Sequence, residues 1–241
     1  MQKILGYIRK AAQEFDLIEK GDKITVGISG GKDSLVLLSG LALMRRFAEF
    51  DYDIVAVTID PGFGGVPNDY EAVARLCDRL DIPFSLVHTQ IGEIVFDVRK
   101  EPNPCSLCAN MRRGALHDAA KAAGCNKLAL GHHNDDVIET FIMNLFKEGR
   151  IGCFSPKTHL DRKDITVIRP LVLAPESQII SACRRNALEV VKSVCPADKT
   201  TTRQQTKEFL ADMEHKDKGF KQRMFTALRK SGVDGWGYKQ K

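Results

Sequence analysis

The stretch KITVGISGGKDSLVLLSGLALMRRF, residues 23–47, decides how this chain is read. Lys23–Ile28 is a short β-branched run of the kind that forms a buried strand, and Ser34–Phe47 is apolar enough for a packed helix. Between them lies Ser29-Gly30-Gly31-Lys32-Asp33-Ser34. The two glycines permit a tight turn and let the backbone approach a ligand. The amides of Lys32, Asp33 and Ser34 then fall in the first helical turn, where unpaired N–H groups and the helix dipole attract phosphate. Lys32 adds a cation, and the Ser29 and Ser34 hydroxyls add donors. The loop is not of the Walker type, because Lys32 is followed by Asp33 rather than Ser or Thr, and GxGxxG does not fit either. A merely capped strand-to-helix turn is the competing reading.

Outward from this loop the same alternation continues. Ile54–Ile59 reads as a second strand, followed by a Gly/Pro loop and a helix over Asp69–Leu80. Pro83–His88 is a third strand, and a loop from about Glu101 to Pro104 leads into a helix over Ser106–Ala123. Lys127–Leu130 is a fourth strand with a helix, Asp135–Phe146, directly after it, and Asp164–Leu171 is a fifth strand. Strands alternating with helices of this length predict right-handed βαβ units. The expected fold class is therefore α/β, a doubly wound parallel sheet of about five strands. It is divided into an N-terminal helix (1–22), a core (23–173) and a helical, basic extension (174–241). Pro170 and Pro175 mark the last boundary, with helices over Glu176–Arg185 and from Thr201 to about Arg229 beyond it. In such sheets ligands bind at the carboxyl ends of the strands, which selects Ser29–Ser34, Thr58–Phe63 and Gly131–Asp136.

Composition narrows the class. Hydrophobic residues at 43% and charged residues at 28% suit a globular protein, and no apolar run reaches the ~20 residues of a membrane helix. Residues 1–18 read as an amphipathic helix without a signal cleavage site, so the expectation is a cytoplasmic protein with no membrane contact. The net charge of +5 sits wholly in residues 196–241, with 11 Lys+Arg against 6 Asp+Glu. A basic tail on a neutral body suits a polyanionic partner. A solvated helix face explains the same charge equally well.

Seven cysteines argue against a complete disulfide framework, and Cys77, Cys125, Cys153 and Cys183 lie in apolar segments suited to buried thiols. The remaining three stand apart. Cys105 and Cys108 form a CxxC at a helix start, and Cys195 is far downstream. Three thiolates are one short of a closed zinc site but suit an iron–sulfur cluster with one iron open. On spacing alone zinc, a redox dithiol and a cluster all remain open. Asp135 and Asp136 open a helix where carboxylates can hold Mg²⁺, although an N-cap accounts for Asp135 as well. Asp60 closes the second strand, where it is either a ligand or a turn cap. Arg112 and Arg113 follow the CxxC by one turn and either neutralise phosphate or face solvent.

With these residues in place, the chain resembles a known family. SGGKDS after a first strand is similar to the PP-loop ATP pyrophosphatases, which share an adenine nucleotide alpha-hydrolase-like fold and cleave ATP between its α and β phosphates. PCSLCANMRRG, then LALGHHNDDVIETFIMNLF, then IRPL, resembles the tRNA 2-thiocytidine synthetases within that group. The resemblance runs from about Lys23 to the C-terminal helix. It implies that Ser29, Gly30, Gly31, Lys32, Asp33 and Ser34, with Asp60, Gly131, Asp135 and Asp136, bind ATP and Mg²⁺. It implies Cys105, Cys108 and Cys195 on a [4Fe-4S] cluster, while Asp60, Arg112 and Asp136 are expected in catalysis from their own positions. Arg113, Arg184 and Arg185, together with the basic C-terminal helix, would contact tRNA.

The implied reaction adenylates C2 of a tRNA cytidine, at position 32, and replaces its oxygen by sulfur. The sulfur donor would be a cysteine desulfurase or free sulfide, and a homodimer suits the family. Related thiouridine synthetases carry Cys/His ribbons at both ends, whereas no other CxxC occurs here, which favours the cytidine branch. The competing functions are a uridine 2-thiolase, an amide-forming ligase with structural cysteines, and an RNA-binding redox sensor.

Overall fold

A computed structural model describes residues 1–65, 68–100, 104–192, 194–195 and 202–237. The chain opens with α1 (Gln2–Phe15), whose Ile4, Ile8 and Ala11 are buried at helical spacing. Then follow β1 (Lys23–Gly27), α2 (Lys32–Arg45), β2 (Asp53–Asp60), α3 (Glu71–Leu80) and β3 (Phe84–His88). Next come α4 (Ile91–Glu93), continuing with π geometry through Ile94–Arg99, then α5 (Pro104–Ala122), β4 (Lys127–Ala129) and α6 (Asn134–Lys147). The last elements are β5 (Lys157–Leu160), β6 (Ile165–Ile168), α7 (Glu176–Arg185), α8 (Thr202–Lys216) and α9 (Phe220–Ser231).

The strand order is β3-β2-β1-β4-β6-β5. Every neighbouring pair is parallel except β5 with β6, in which Thr158 faces Val167. The chain leaves β1 toward β2 and β3 on one side, and β4 and β6 occupy the other. The order therefore reverses between β1 and β4, and this is where a ligand crevice opens at the carboxyl ends. Central β1 is buried along Ile24, Thr25 and Val26, as expected for a strand covered on both faces.

The sheet has six strands rather than about five. KTHL is short, half-polar and confined to an edge, so it carries no apolar run to reveal it. The helix expected from Thr201 to about Arg229 is two helices. Gly219 adopts φ 84° between them, and the Glu214 carboxylate accepts from Gly219 N and Lys221 N, each at 2.9 Å. Lys199, Thr200 and the other residues of 196–201 lie outside the described residues.

One core joins the three sequence segments. Ile4 and Ile8 of α1, Leu38 of α2, Ile179 of α7, Leu210 of α8, Phe225 of α9 and Trp236 belong to a single buried cluster. Trp236 is fully buried, donates from Nε1 to the Phe154 carbonyl at 2.9 Å, and meets Phe15 and Phe225 edge-on. The C-terminal extension is thereby fastened across the sheet's α1–α2 face, which places α8 beside the crevice.

Candidate active site

The phosphate loop is built mainly by its own backbone and hydroxyls. Gly30 takes φ 80°, and Gly31 caps α2 in extended geometry. Ser34 Oγ donates to the Gly31 carbonyl at 2.9 Å and accepts from Ser29 N at 3.2 Å, while Ser29 Oγ accepts from Gly31 N at 3.3 Å. Gly131, at the end of β4, packs against this turn. A Cβ there would lie 3.1 Å from Ser34 N and from the Asp33 carbonyl carbon. The absence of a side chain at Gly131 is what lets β4 close on the loop.

Around the loop is a ring of charge. Lys32 Nζ lies 3.2 Å from Asp33 Oδ2 and 3.0 Å from Glu176 Oε1. Burial alone would lower the lysine's pKa, but Asp33 and Glu176 outweigh it and hold the ammonium above its ordinary value. For Glu176, burial opposes ionisation, yet hydrogen bonds from Lys207 and Lys32 bring it down to about 2. His133 caps α6 in a reciprocal box: its amide donates to Asp136 Oδ2 at 2.9 Å, and Asp136 N donates to its Nδ1 at 3.4 Å. The His133 Nε2 edge is 3.6 Å from Asp33 Oδ1, so Asp136, His133 and Asp33 form one chain into the loop. His132, packed at a tilt against Phe154, is driven down to about 4 by burial and then by the Arg169 guanidinium.

Asp135 and Asp136 do different work despite being adjacent. Asp135 accepts from Glu176 N at 2.8 Å and from Lys221 Nζ at 3.0 Å, so it pins α7 and α9 to α6 instead of capping its own helix. Asp136 turns toward the loop and meets Arg203 at 3.0 Å. Asp60 is 1% exposed. Its oxygens accept from Gly62 N, Asn68 N and Asn68 Nδ2 at 3.2, 3.3 and 2.8 Å, and Oδ2 lies 3.3 Å from His88 Nδ1. The described contacts of Asp60 are therefore those of a loop anchor.

The three cysteines approach one another. Cys105 and Cys108 are three residues apart on α5, Cys105 exposed and Cys108 buried. Burial raises the Cys108 thiol, the hydrogen-bonded Arg112 lowers it, and Cys195 and Cys105 raise it further. Cys195, from a distant segment, thus lies within electrostatic reach of Cys108, and Arg112 favours the thiolate of Cys108. No disulfide links any of the seven cysteines. Among the described residues no group of three His, Cys, Asp or Glu converges as it would on a single metal ion. A four-iron cluster asks for something else, thiolates spaced around it with each on its own iron. The donor set of two cysteines from one turn and one from afar is of that type.

The loop and the cysteines are physically joined. Val191 N donates to the Gly30 carbonyl at 3.0 Å, and the Val191 side chain sits where a Gly30 Cβ would be, at 2.7 Å. Four residues later the same segment reaches Cys195. Arg113 lies along its own helix, donating to Asn110 Oδ1 at 2.7 Å and the Ala109 carbonyl at 3.4 Å, while Arg184 and Arg185 are exposed at the end of α7. Glu176, Val191, Arg203 and Lys207 are site residues that the motifs do not reveal, since each arrives from the extension. Arg169, inside the quoted IRPL and so within the core, also borders the site, held by the Ser155 carbonyl at 2.6 Å and over the Phe154 ring at 5.0 Å.

A PP-loop domain model matches residues 4–213. The chain belongs to the PP-loop family. The tRNA-cytidine(32) 2-sulfurtransferase of Pelobacter propionicus is 41% identical over 224 residues, covering 92% of this PP-loop chain and 82% of that one. The protein of the same name from Ralstonia pickettii is 33% identical over 229 residues, covering 94% and 72%. Among solved structures, the U34-tRNA thiolase NcsA from Methanococcus maripaludis, with its [4Fe-4S] cluster, superposes with a TM-score of 0.77 at 25% identity. It covers 95% of this PP-loop chain and 78% of its own. The NH3-dependent NAD synthetase from Campylobacter jejuni shares the fold, with a TM-score of 0.51 at 16% identity over 97% and 95% of the two chains. Among the described residues no helix is long and apolar enough to cross a membrane.

Proposed function

We propose that this PP-loop protein is an ATP-dependent tRNA sulfurtransferase that converts a tRNA cytidine, at position 32, into 2-thiocytidine. What supports the reading is that Val191 bonds Gly30 of the loop, four positions before Cys195, which lies within electrostatic reach of Cys108. An amide-forming ligase has no use for that juxtaposition. The names of the relatives support the cytidine substrate over uridine.

In this reading the triphosphate rests on the amides at the start of α2, with Lys32 swinging from Glu176 to the phosphates. The target base is extruded into the crevice. Its C2 oxygen attacks the α-phosphorus, and pyrophosphate leaves. Asp136 is the carboxylate placed to hold Mg²⁺ beside that phosphate, and Arg112 neutralises charge between the adenylate and the cysteines. Asp60 and Asp135 act by holding the walls of the site, through the loop after β2 and through α7. Cys105, Cys108 and Cys195 would hold a [4Fe-4S] cluster with one iron free of protein, and this group when bound supplies the sulfur nucleophile. Sulfide bonds to C2, and AMP departs with the original oxygen. Arg113, Arg184 and Arg185 are placed to meet the RNA backbone, which predicts a steep loss of binding with salt.

The test is anaerobic purification with iron and sulfide analysis, followed by incubation with ATP, sulfide and tRNA and mass spectrometry of the nucleosides. About four irons per chain and 2-thiocytidine in the RNA are expected. Colourless protein, or RNA without 2-thiocytidine, would sink the proposal.

A further inference from the structure

The first two turns of α8 present Arg203 and Lys207 one helical turn apart, on one face. Both are aimed into the crevice. Arg203 Nη1 lies 3.0 Å from Asp136 Oδ1 and 3.8 Å from Glu139 Oε2, and Nη2 donates to Thr140 Oγ1 at 3.4 Å. Lys207 Nζ donates to both oxygens of Glu176, at 3.0 and 2.8 Å. Two of these carboxylates connect to the phosphate loop, Glu176 directly through Lys32, and Asp136 by way of His133, which reaches Asp33. Of the other basic residues of the extension, Lys216 and Arg223 are exposed and pair with Asp212 and Asp217, while Lys221 pairs with Asp135.

We infer that Arg203 and Lys207 are ligands of the ATP phosphates, so that α8 completes the nucleotide site instead of contacting RNA. This rests on the adenylation half of the proposed function. A triphosphate seated on Ser29–Ser34 sets several negative charges against Asp136 and Glu176, the two carboxylates that Arg203 and Lys207 now neutralise. Like charges at such range repel strongly in a partly desolvated crevice. The two cations relieve that repulsion by bridging, each keeping its carboxylate while its remaining donors turn to the phosphates. Their side chains are 45% and 44% exposed, which leaves the heads free to reorient on a fixed helix. The guanidinium fork serves carboxylate and phosphate alike, and the lysine acts as a mobile point charge. Part of the basic excess in residues 196–241 is thereby assigned to ATP.

The inference is tested by calorimetry on the anaerobically purified holoenzyme, comparing wild type with Arg203→Ala, Lys207→Ala and Arg203→Lys. The probes are α,β-methylene-ATP, AMP and tRNA. Each alanine variant should bind the triphosphate analogue about 10-fold more weakly, the loss of one charge-assisted hydrogen bond. AMP and tRNA affinities should stay within about 3-fold, and Arg203→Lys should recover most of the loss. Equal weakening of AMP and the triphosphate, weakening of tRNA alone, or no change would each overturn the inference. Should the variants fail to fold, hydrogen exchange of the wild type decides. Residues 202–209 gain protection with the triphosphate analogue but not with AMP, and unchanged exchange refutes the assignment. A protein that bound the analogue in this way yet made no 2-thiocytidine would fail the proposed function while leaving this inference standing.

Discussion

The two halves of the site are assembled by opposite strategies. The phosphate loop is local: six consecutive residues supply the turn, the hydroxyls and the cation, and Ser29, Gly31 and Ser34 bond to one another before anything distant arrives. The cysteine set is non-local. Its CxxC lies on α5, its third thiol comes from a segment some ninety positions later, and that segment is steered by its bond to Gly30. A local site survives damage elsewhere, since its geometry is written in adjacent dihedrals. A non-local site depends on everything that fixes the second strand of its contact, including the extension's anchorage through Trp236 and Lys221.

That contrast can be broken by mutation. Lys32→Ala should abolish adenylation by about 100-fold or more, the cost of a charged donor aimed at developing phosphate charge, while iron content stays at the wild-type level. The measurement is pyrophosphate release alongside iron analysis, and parallel loss of iron would show that the halves are not separable. Cys195→Ser should do the converse, losing iron and thiolation but keeping binding of an ATP analogue within about 3-fold.

Gly131→Ala tests how tightly the local half is closed. The new methyl sits 3.1 Å from Ser34 N and pushes on the first turn of α2. Destabilisation of about 1–3 kcal/mol and a weaker nucleotide Kd are expected from denaturant melts and calorimetry.

The smallest effect concerns Glu139, which burial and then the Asp136 charge push up to about 7. The folded protein holds that proton more tightly than the unfolded chain does. This carboxylate therefore costs stability progressively as pH rises from the ordinary glutamate range through 7, and costs nothing below it. Glu139→Gln should raise stability by about 1 kcal/mol at pH 8, after allowance for screening, and leave it unchanged near pH 4. Equal melting shifts at both pH values would contradict the assignment.

Much of this protein was legible in residue order. Strands β1 to β4, the helices after them, the loop Ser29–Ser34 and the crevice at the strand ends follow from apolar runs and glycine placement, which act over a few residues. The edge strand Lys157–Leu160 escaped because an edge needs only half a hydrophobic face, and the break at Gly219 escaped because one glycine in a helical pattern is ambiguous. Neighbouring Asp135 and Asp136 could not be told apart from spacing, since which carboxylate meets α7 and which meets Arg203 is settled by helices that arrive much later in the chain.

By itself, then, the amino-acid order determined the class of fold and the strand-to-helix turn at Ser29–Ser34, and it set three cysteines apart as candidates, because backbone dihedrals and side-chain chemistry are local properties. Only the tertiary structure decided that Val191 lies over Gly30, that Cys195 comes within electrostatic reach of Cys108, and that Arg203 and Lys207 face Asp136 and Glu176. Those are pairings between segments whose separation along the chain carries no signal. They exist because one hydrophobic core, running from Ile4 to Trp236, folds the extension back over the sheet.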